Sequence, residues 1–356
     1  MTRPGWLVLE DGTRYEGALV GMPQEPVGEV VFNTALTGYQ EVLTDPSYAG
    51  QIVVFTYPLI GSYGTRAVFS ESDRPAARTM VVRDLKEPSH AQSEESLQSF
   101  CERRGIGILT GVDTRALTRK LRSQGTLRGA VVGDASEVER AVDAARTLDL
   151  TRIVDEVSAP HPYNRGAAEG PRVALIDYGL KTGITDELTK RGAAVSILPA
   201  STSPAELLRA HPDGVVLSNG PGNPEDLAER LETVRTAIEQ FPTLGICLGH
   251  QLVAMAVGGR TYALKFGHHG SNHPVLDRDR RLIQITAQNH GYSVDGDSLP
   301  ADWRIRFVNL HDNTVEGLQH ESRPVVTVQH HPEGGPGPHE SGYVFDEFMA
   351  MMARRG

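Results

Sequence analysis

From residue 172 onward, short continuous apolar runs alternate with helically spaced stretches, and this rhythm constrains the fold more than any other feature of the chain. Residues 172–176, 194–198 and 214–217 read as buried strands, with helices at 182–191, closed by Gly192, and at 204–210. Strand, helix, strand, helix, strand is the signature of a parallel sheet covered on both faces. In such sheets, sites form where loops leave the carboxyl ends of the strands. The expected fold class is therefore α/β, with a doubly wound, mainly parallel sheet in the C-terminal part.

A chain of 356 residues is too long for one ordinary core. Pro160, Pro162, Gly166, Gly170 and Pro171 interrupt any periodicity, which marks a linker. The expected division is an N-terminal mixed α/β domain at 1–157, a linker at 158–171 and a second domain at 172–356. In the first, a hairpin is expected from 6–9 and 15–20, turning at Asp11-Gly12. Strands are expected at 27–32 and 51–57 with a loop at 44–50, and helices at 93–104 and 113–124.

Composition removes several function classes. With 39% hydrophobic and 22% charged residues the chain is neither disordered nor fibrous. Its 35 basic and 45 acidic residues give a net charge of −10, and without a long Lys/Arg block it is poorly suited to gripping phosphate backbones. Two cysteines are too few for a disulfide framework or a four-thiolate zinc site. The opening run Trp6-Leu7-Val8-Leu9 is shorter than a signal-peptide core, and nothing approaches 18 consecutive apolar residues, so a cytoplasmic location is expected. No GxxxxGK(S/T) loop occurs and no GxGxxG follows a strand, so no nucleotide site is expected in this chain. His268, His269 and His273 invite a metal reading. Gly270 and Pro274 oppose the helix that would align His269 with His273, and no metal is expected.

The most informative segment is a short apolar strand, then Gly245-Ile246-Cys247-Leu248-Gly249, then a helical stretch to Val257. Small residues two before and two after a nucleophile are what a sharp strand-to-helix elbow needs, because the backbone passes close there. Such a turn sets the Cys247 sulfur at a helix N-terminus, which stabilises a thiolate, and aims the Leu248 amide at a developing oxyanion. An isolated G-x-C-x-G also fits a buried structural cysteine between packing glycines. A base for the thiol is offered by His331, at the end of the apolar run 324–328, with Glu333 two residues on to orient its ring. Taken alone, His330-His331 also fits a solvated strand end, and His330 points to the opposite face. Ser218-Asn219-Gly220-Pro221-Gly222 closes another strand with exposed, fixed backbone suited to amide donors, or to a plain turn. Gln288-Asn289-His290-Gly291-Tyr292 reads as a polar loop.

With 245–251, 218–222 and 331–333 in this combination, the second half resembles the class I (triad) glutamine amidotransferases. The stretches 32–41, 44–51, 265–274, 288–292 and 336–339 extend the resemblance to the small, glutamine-hydrolysing subunit of carbamoyl-phosphate synthetase, over nearly the whole chain. The resemblance implies that Cys247 attacks the glutamine amide, His331 relays protons and Glu333 orients His331. It implies glutamine binding by Ser47, Gly220, Gly222, Leu248, Gln251, Asn289, Gly291 and Tyr292, with Ser47 reaching in from the first domain. It also implies a larger partner subunit that carries ATP and Mg2+, this chain holding no cofactor. Tyr292 stands where the family suggests phenylalanine, and Gly334-Gly335 is a second departure. The alternatives are a decayed binding module, another Cys-dependent hydrolase, and an amidotransferase serving a different synthetase. The first would have lost Cys247, His331 or Glu333, and all three are present.

Overall fold

In the computed structural model, which describes residues 2–21, 23–73, 76–167 and 169–354, the chain forms two units. One holds Met1–Leu150 with Lys265–Gly270, the other Thr151–Leu264 with Ser271–Gly356. The division thus falls at residue 150 rather than 157. The helix Ile153–Val157 belongs to the second unit, where Val154 is part of the core. The expected linker at 158–171 also contains a strand, Tyr163–Gly166, so its prolines and glycines flank an edge strand, where they are tolerated.

The first unit is built on seven strands: β1 Arg3–Leu9, β2 Arg14–Val20, β3 Val27–Asn33, β4 Gln51–Phe55, β5 Thr79–Val81, β6 Gly107–Thr110 and β7 Leu127–Val132. They close into a barrel in the order β1-β2-β6-β5-β4-β3-β7. The β1–β2 hairpin turns at Asp11-Gly12 as expected, with Gly12 at φ 85°. A closed sheet has an inside, and one apolar cluster draws on all seven strands through Leu7, Leu19, Val30, Ile52, Val81, Leu109 and Val131. Alternate residues such as Val31, Val53, Met80 and Ile108 face the other way, against Tyr39 and Leu43 of the helix Tyr39–Thr44 and Leu97 and Phe100 of the helix Leu97–Arg104. The expected loop at 44–50 contains a 3-10 turn, Pro46–Tyr48, held by Asp45, whose carboxylate accepts the Ser47 N–H at 2.8 Å.

The second unit carries β8 Tyr163–Gly166, β9 Arg172–Asp177, β10 Ala194–Pro199, β11 Gly214–Leu217, β12 Thr243–Ile246, β13 Arg260–Asp277 except its Lys265–Gly270 stretch, β14 Leu282–Asp295, β15 Trp303–Asn309, β16 Val315–His320 and β17 Val325–Val328. Their order is β8-β10-β9-β11-β12-β17-β16-β15-β13-β14. Strands β10, β9, β11, β12 and β17 are parallel, the core that the sequence rhythm announces. Antiparallel strands extend it: β8 beyond β10, and β16, β15 and β13 beyond β17. Both faces are buried. Val173, Leu175, Leu244 and Ile246 pack toward the helices Thr182–Lys190 and Tyr343–Ala353, while Ala174, Ile176, Val215 and Leu217 pack toward Leu231–Gln240 and Leu248–Ala256. Residues 288–292, expected as a loop, lie inside β14. Among the described residues no helix is long and apolar enough to cross a membrane.

Leu175 is fully buried between β9 and the helix beneath it. Leu175→Ala should cost about 2–5 kcal/mol by leaving a cavity, read as a lower urea midpoint at unchanged slope. A midpoint equal to wild type would show that this face of the sheet is not closely packed.

Candidate active site

The parallel strands end in register, with Leu217 opposite Gly245 and Ile246 opposite Val328, so the residues that follow them converge at one edge. Between β12 and the helix Leu248–Ala256 stands Cys247, at φ 52° and ψ −104°. A positive φ strains any side chain with a Cβ, and the turn is held by bonds on either side. Cys247 N–H donates to the Val328 carbonyl at 2.8 Å, and Gly249 N–H to the Ser218 carbonyl at 3.0 Å. The flanking glycines are required by space. A Cβ on Gly249 would overlap the Leu217 carbonyl, and one on Gly245 would lie 2.9 Å from the Gly249 oxygen. The elbow therefore exists as the glycine spacing implies, with a buried thiol at the start of a helix.

His331 follows β17, and its N–H donates to the Ala287 carbonyl of β14 at 3.0 Å. Its Nδ1 lies 2.7 Å from Glu333 Oε1. Lys181, at the start of the helix after β9, brings Nζ to 2.8 Å from the same oxygen and also donates to the Gly335 carbonyl. All three side chains are buried. Burial alone raises a carboxyl's proton affinity, but the charges of Lys181 and His331 and their hydrogen bonds outweigh it, and Glu333 is held far below the usual carboxylate range. For His331, burial disfavours the cation. The Glu333 charge overcomes that against opposition from Lys181, and the hydrogen bond to Glu333 adds to it, so its proton affinity is raised. With Nδ1 engaged by Glu333, Nε2 meets no full hydrogen bond among the described residues and is the nitrogen left for the sulfur. His330, by contrast, is buried edge-on against Phe307 and pushed down to about 4 by burial, so it is a neutral packing residue.

Of the other candidate residues of the second unit, Gln251, Asn289 and Tyr292 meet at this center, beside Leu248. The Cys247 thiol donates to the Asn289 carbonyl at 3.5 Å, and Gln329 Nε2 reaches the sulfur at 3.6 Å. Gln251 Nε2 donates to the Tyr292 carbonyl and to Gln329 Oε1, both at 3.0 Å. Gly220 packs against the Tyr178 backbone and the Leu248 side chain, where a Cβ would come within 2.8 Å of Leu248 Cδ2. Gly222 needs its glycine for φ 88°. Gly291 does not, since a Cβ there would meet nothing within 4 Å. Ser47 lies in the first unit, buried in its 3-10 turn.

Two residues of this center escape the sequence reading, Lys181 and Gln329. Gln329 had a usable signal: two residues before His331 in an extended run, it shares that residue's side. Lys181 had none, because its partners are remote in sequence.

Removing one member of a buried ion pair typically costs about 3–5 kcal/mol. Lys181→Met should therefore destabilise the second unit by about that much. The sign with pH follows from Glu333: a depressed folded pKa gives stability that is present above the unfolded value and lost as pH falls. Without Lys181 the folded pKa rises toward the unfolded one, so the acid-dependent loss should be smaller and should end at higher pH, as read by urea unfolding at a series of pH values. An unchanged acid limb would mean that Lys181 does not hold the Glu333 charge.

Comparison with known proteins agrees with this geometry. A family profile described as glutamine amidotransferase class-I matches residues 174–351, and one described as carbamoyl-phosphate synthase small chain, CPSase domain, matches residues 7–131. The carbamoyl phosphate synthase small chain of Symbiobacterium thermophilum is 49% identical, covering 97% of this chain and 98% of its own. That of Listeria monocytogenes is 47% identical, covering 97% and 96%. The carbamoyl phosphate synthase pyrimidine-specific small chain of Halalkalibacterium halodurans is 48% identical, again covering 97% and 96%. Matches of this extent across both units show that the chain belongs to the family of carbamoyl-phosphate synthase small chains, the glutamine-hydrolysing subunit of that synthase.

Proposed function

We propose that Cys247, His331 and Glu333 hydrolyse L-glutamine through a γ-glutamyl thioester, and that the ammonia passes to a larger subunit. That partner would carry ATP and Mg2+, make carbamoyl phosphate from bicarbonate, and supply pyrimidine and arginine synthesis. This chain would hold no cofactor of its own and would work as a heterodimer or a higher assembly of it, in the cytoplasm. The observation that carries the reading is the 2.7 Å contact between His331 Nδ1 and Glu333 beside a cysteine held on a strained elbow.

In the first half-reaction Cys247 gives its proton to His331, and the sulfur attacks the side-chain amide carbon of glutamine. The oxyanion rests on the amides of Leu248 and Gly220. His331 then protonates the departing nitrogen, ammonia leaves and the thioester remains. In the second, water gives a proton to His331 and attacks the thioester, the C–S bond breaks, and glutamate is released. Glu333 keeps the imidazole oriented and stabilises its cation throughout. Glutamine would be held by Ser47, Gly220, Gly222, Leu248, Gln251, Asn289, Gly291 and Tyr292. The room beside Gly291 favours a close approach of substrate to the backbone there.

The test mixes the chain with its ATP-using partner and follows carbamoyl phosphate from glutamine or from free ammonia. Cys247→Ser should lose the glutamine-dependent rate by a factor of about 10³ or more and keep the ammonia-dependent one. Equal loss of both would contradict the division of labour, and an unaffected glutamine rate would remove Cys247 from the mechanism.

A further inference from the structure

We propose that Gln329 is a further catalytic residue of this center: its side-chain amide donates a hydrogen bond to the Cys247 sulfur and stabilises the thiolate before attack and again when the thioester breaks down. The inference rests on Cys247 being the nucleophile.

The direction of the Gln329 amide is fixed by its neighbors. The Tyr292 main-chain carbonyl can only accept, so the end of Gln251 that meets it at 3.0 Å is the NH2. That same NH2 meets Gln329 at 3.0 Å, so the end of Gln329 facing it is the oxygen. The remaining end of Gln329, 3.6 Å from Cys247 Sγ, is then the NH2. Turning the Gln329 amide over would set two donors against each other at Gln251 and an oxygen against the sulfur. Gln329 is fully buried, so its amide has no bulk water to turn to instead.

The sulfur needs such a donor. As a thiol it gives its hydrogen to the Asn289 carbonyl at 3.5 Å. Once the proton has moved to His331, that carbonyl faces a negative sulfur and opposes it. The Gln329 N–H, 3.6 Å from the same sulfur, offsets the repulsion without adding a charge. A neutral donor also suits the chemistry, because a thiolate loses nucleophilicity as its proton affinity falls. In the thioester the sulfur carries no charge and the contact weakens. When the C–S bond breaks, the electron pair returns to sulfur and finds the N–H in place. Gln251, proposed above as a glutamine-binding residue, acquires a second role as the group that keeps Gln329 pointed the right way.

The experiment is the pH dependence of iodoacetamide alkylation at Cys247 in the full chain, read by mass spectrometry of the Cys247 peptide so that buried Cys101 does not interfere. Gln329→Met keeps the length and removes the donor, and Gln329→Glu keeps the shape and puts oxygens against the sulfur. The alkylation midpoint should rise by about one pH unit in the first and further in the second. Wild-type midpoints in both variants, each shown to be folded by its thermal transition, would overturn the proposal. A measurement on the unsubstituted residue guards against misfolding: the Gln329 side-chain 15N–H signals should titrate with Cys247 and stop doing so in Cys247→Ala. Signals that do not respond to pH would equally overturn it. The underlying reading is checked separately in wild type, where glutaminase activity should fall in step with alkylation. Activity surviving full alkylation would reject Cys247 as nucleophile whatever Gln329 does.

Discussion

A positive φ at Cys247 is the constraint on which the site depends. Left-handed backbone at a residue with a side chain costs on the order of 1–3 kcal/mol, and it persists only where the surroundings fix it. Here they do so from both flanking strands. The Cys247 N–H is bound to the end of β17 and the Gly249 N–H to the end of β11, while glycines at 245 and 249 let the chain double back without collision. The same two strands lead into the other parts of the center, His331 after β17 and Gly220 after β11. The elbow thus ties the proposed nucleophile, base and backbone donors to a single sheet edge whose faces are packed on both sides.

Charge runs through contacts from Lys181 to Glu333 to His331. Each buried group would be costly alone. Together, the lysine keeps the carboxylate ionised, and the carboxylate favours the imidazolium. Polar groups at the sulfur complete the surroundings, with Asn289 accepting, Gln329 donating and Gln251 setting the direction of Gln329. His250 illustrates what this arrangement prevents. Buried, with its Nδ1 2.7 Å from the Thr327 hydroxyl, it is pushed down to about 3 by burial and stays neutral.

Much of this was legible in the sequence where the determining physics is local. Glycines two residues either side of Cys247 encode the elbow by steric need, and His331 with Glu333 is a contact between residues two apart. The parallel core is readable because its strands are continuous apolar runs. What was not legible depends on distant partners. Residues 288–292 look like a loop because they are polar, yet they lie within β14, where Gln288 donates to buried Glu316 and Asn289 faces Cys247. The prolines and glycines of 158–171 read as a linker, and only pairing with β10 shows an edge strand among them. Lys181 is an ordinary lysine until Glu333 is placed beside it. The proposed share of Ser47 in glutamine binding rests on family resemblance, and no local property of its 3-10 turn announces it.

The central claim is that the strained, helix-capping Cys247 is the atom that carries the acyl group. Quenching the chain with acid during turnover of isotopically labelled glutamine, followed by peptide mass spectrometry, tests it most directly. The account predicts one glutamyl group, labile to hydroxylamine, on the peptide containing Cys247 and on no other. Turnover of glutamine with label on a different residue, or with no acyl-enzyme under conditions that preserve thioesters, would contradict it.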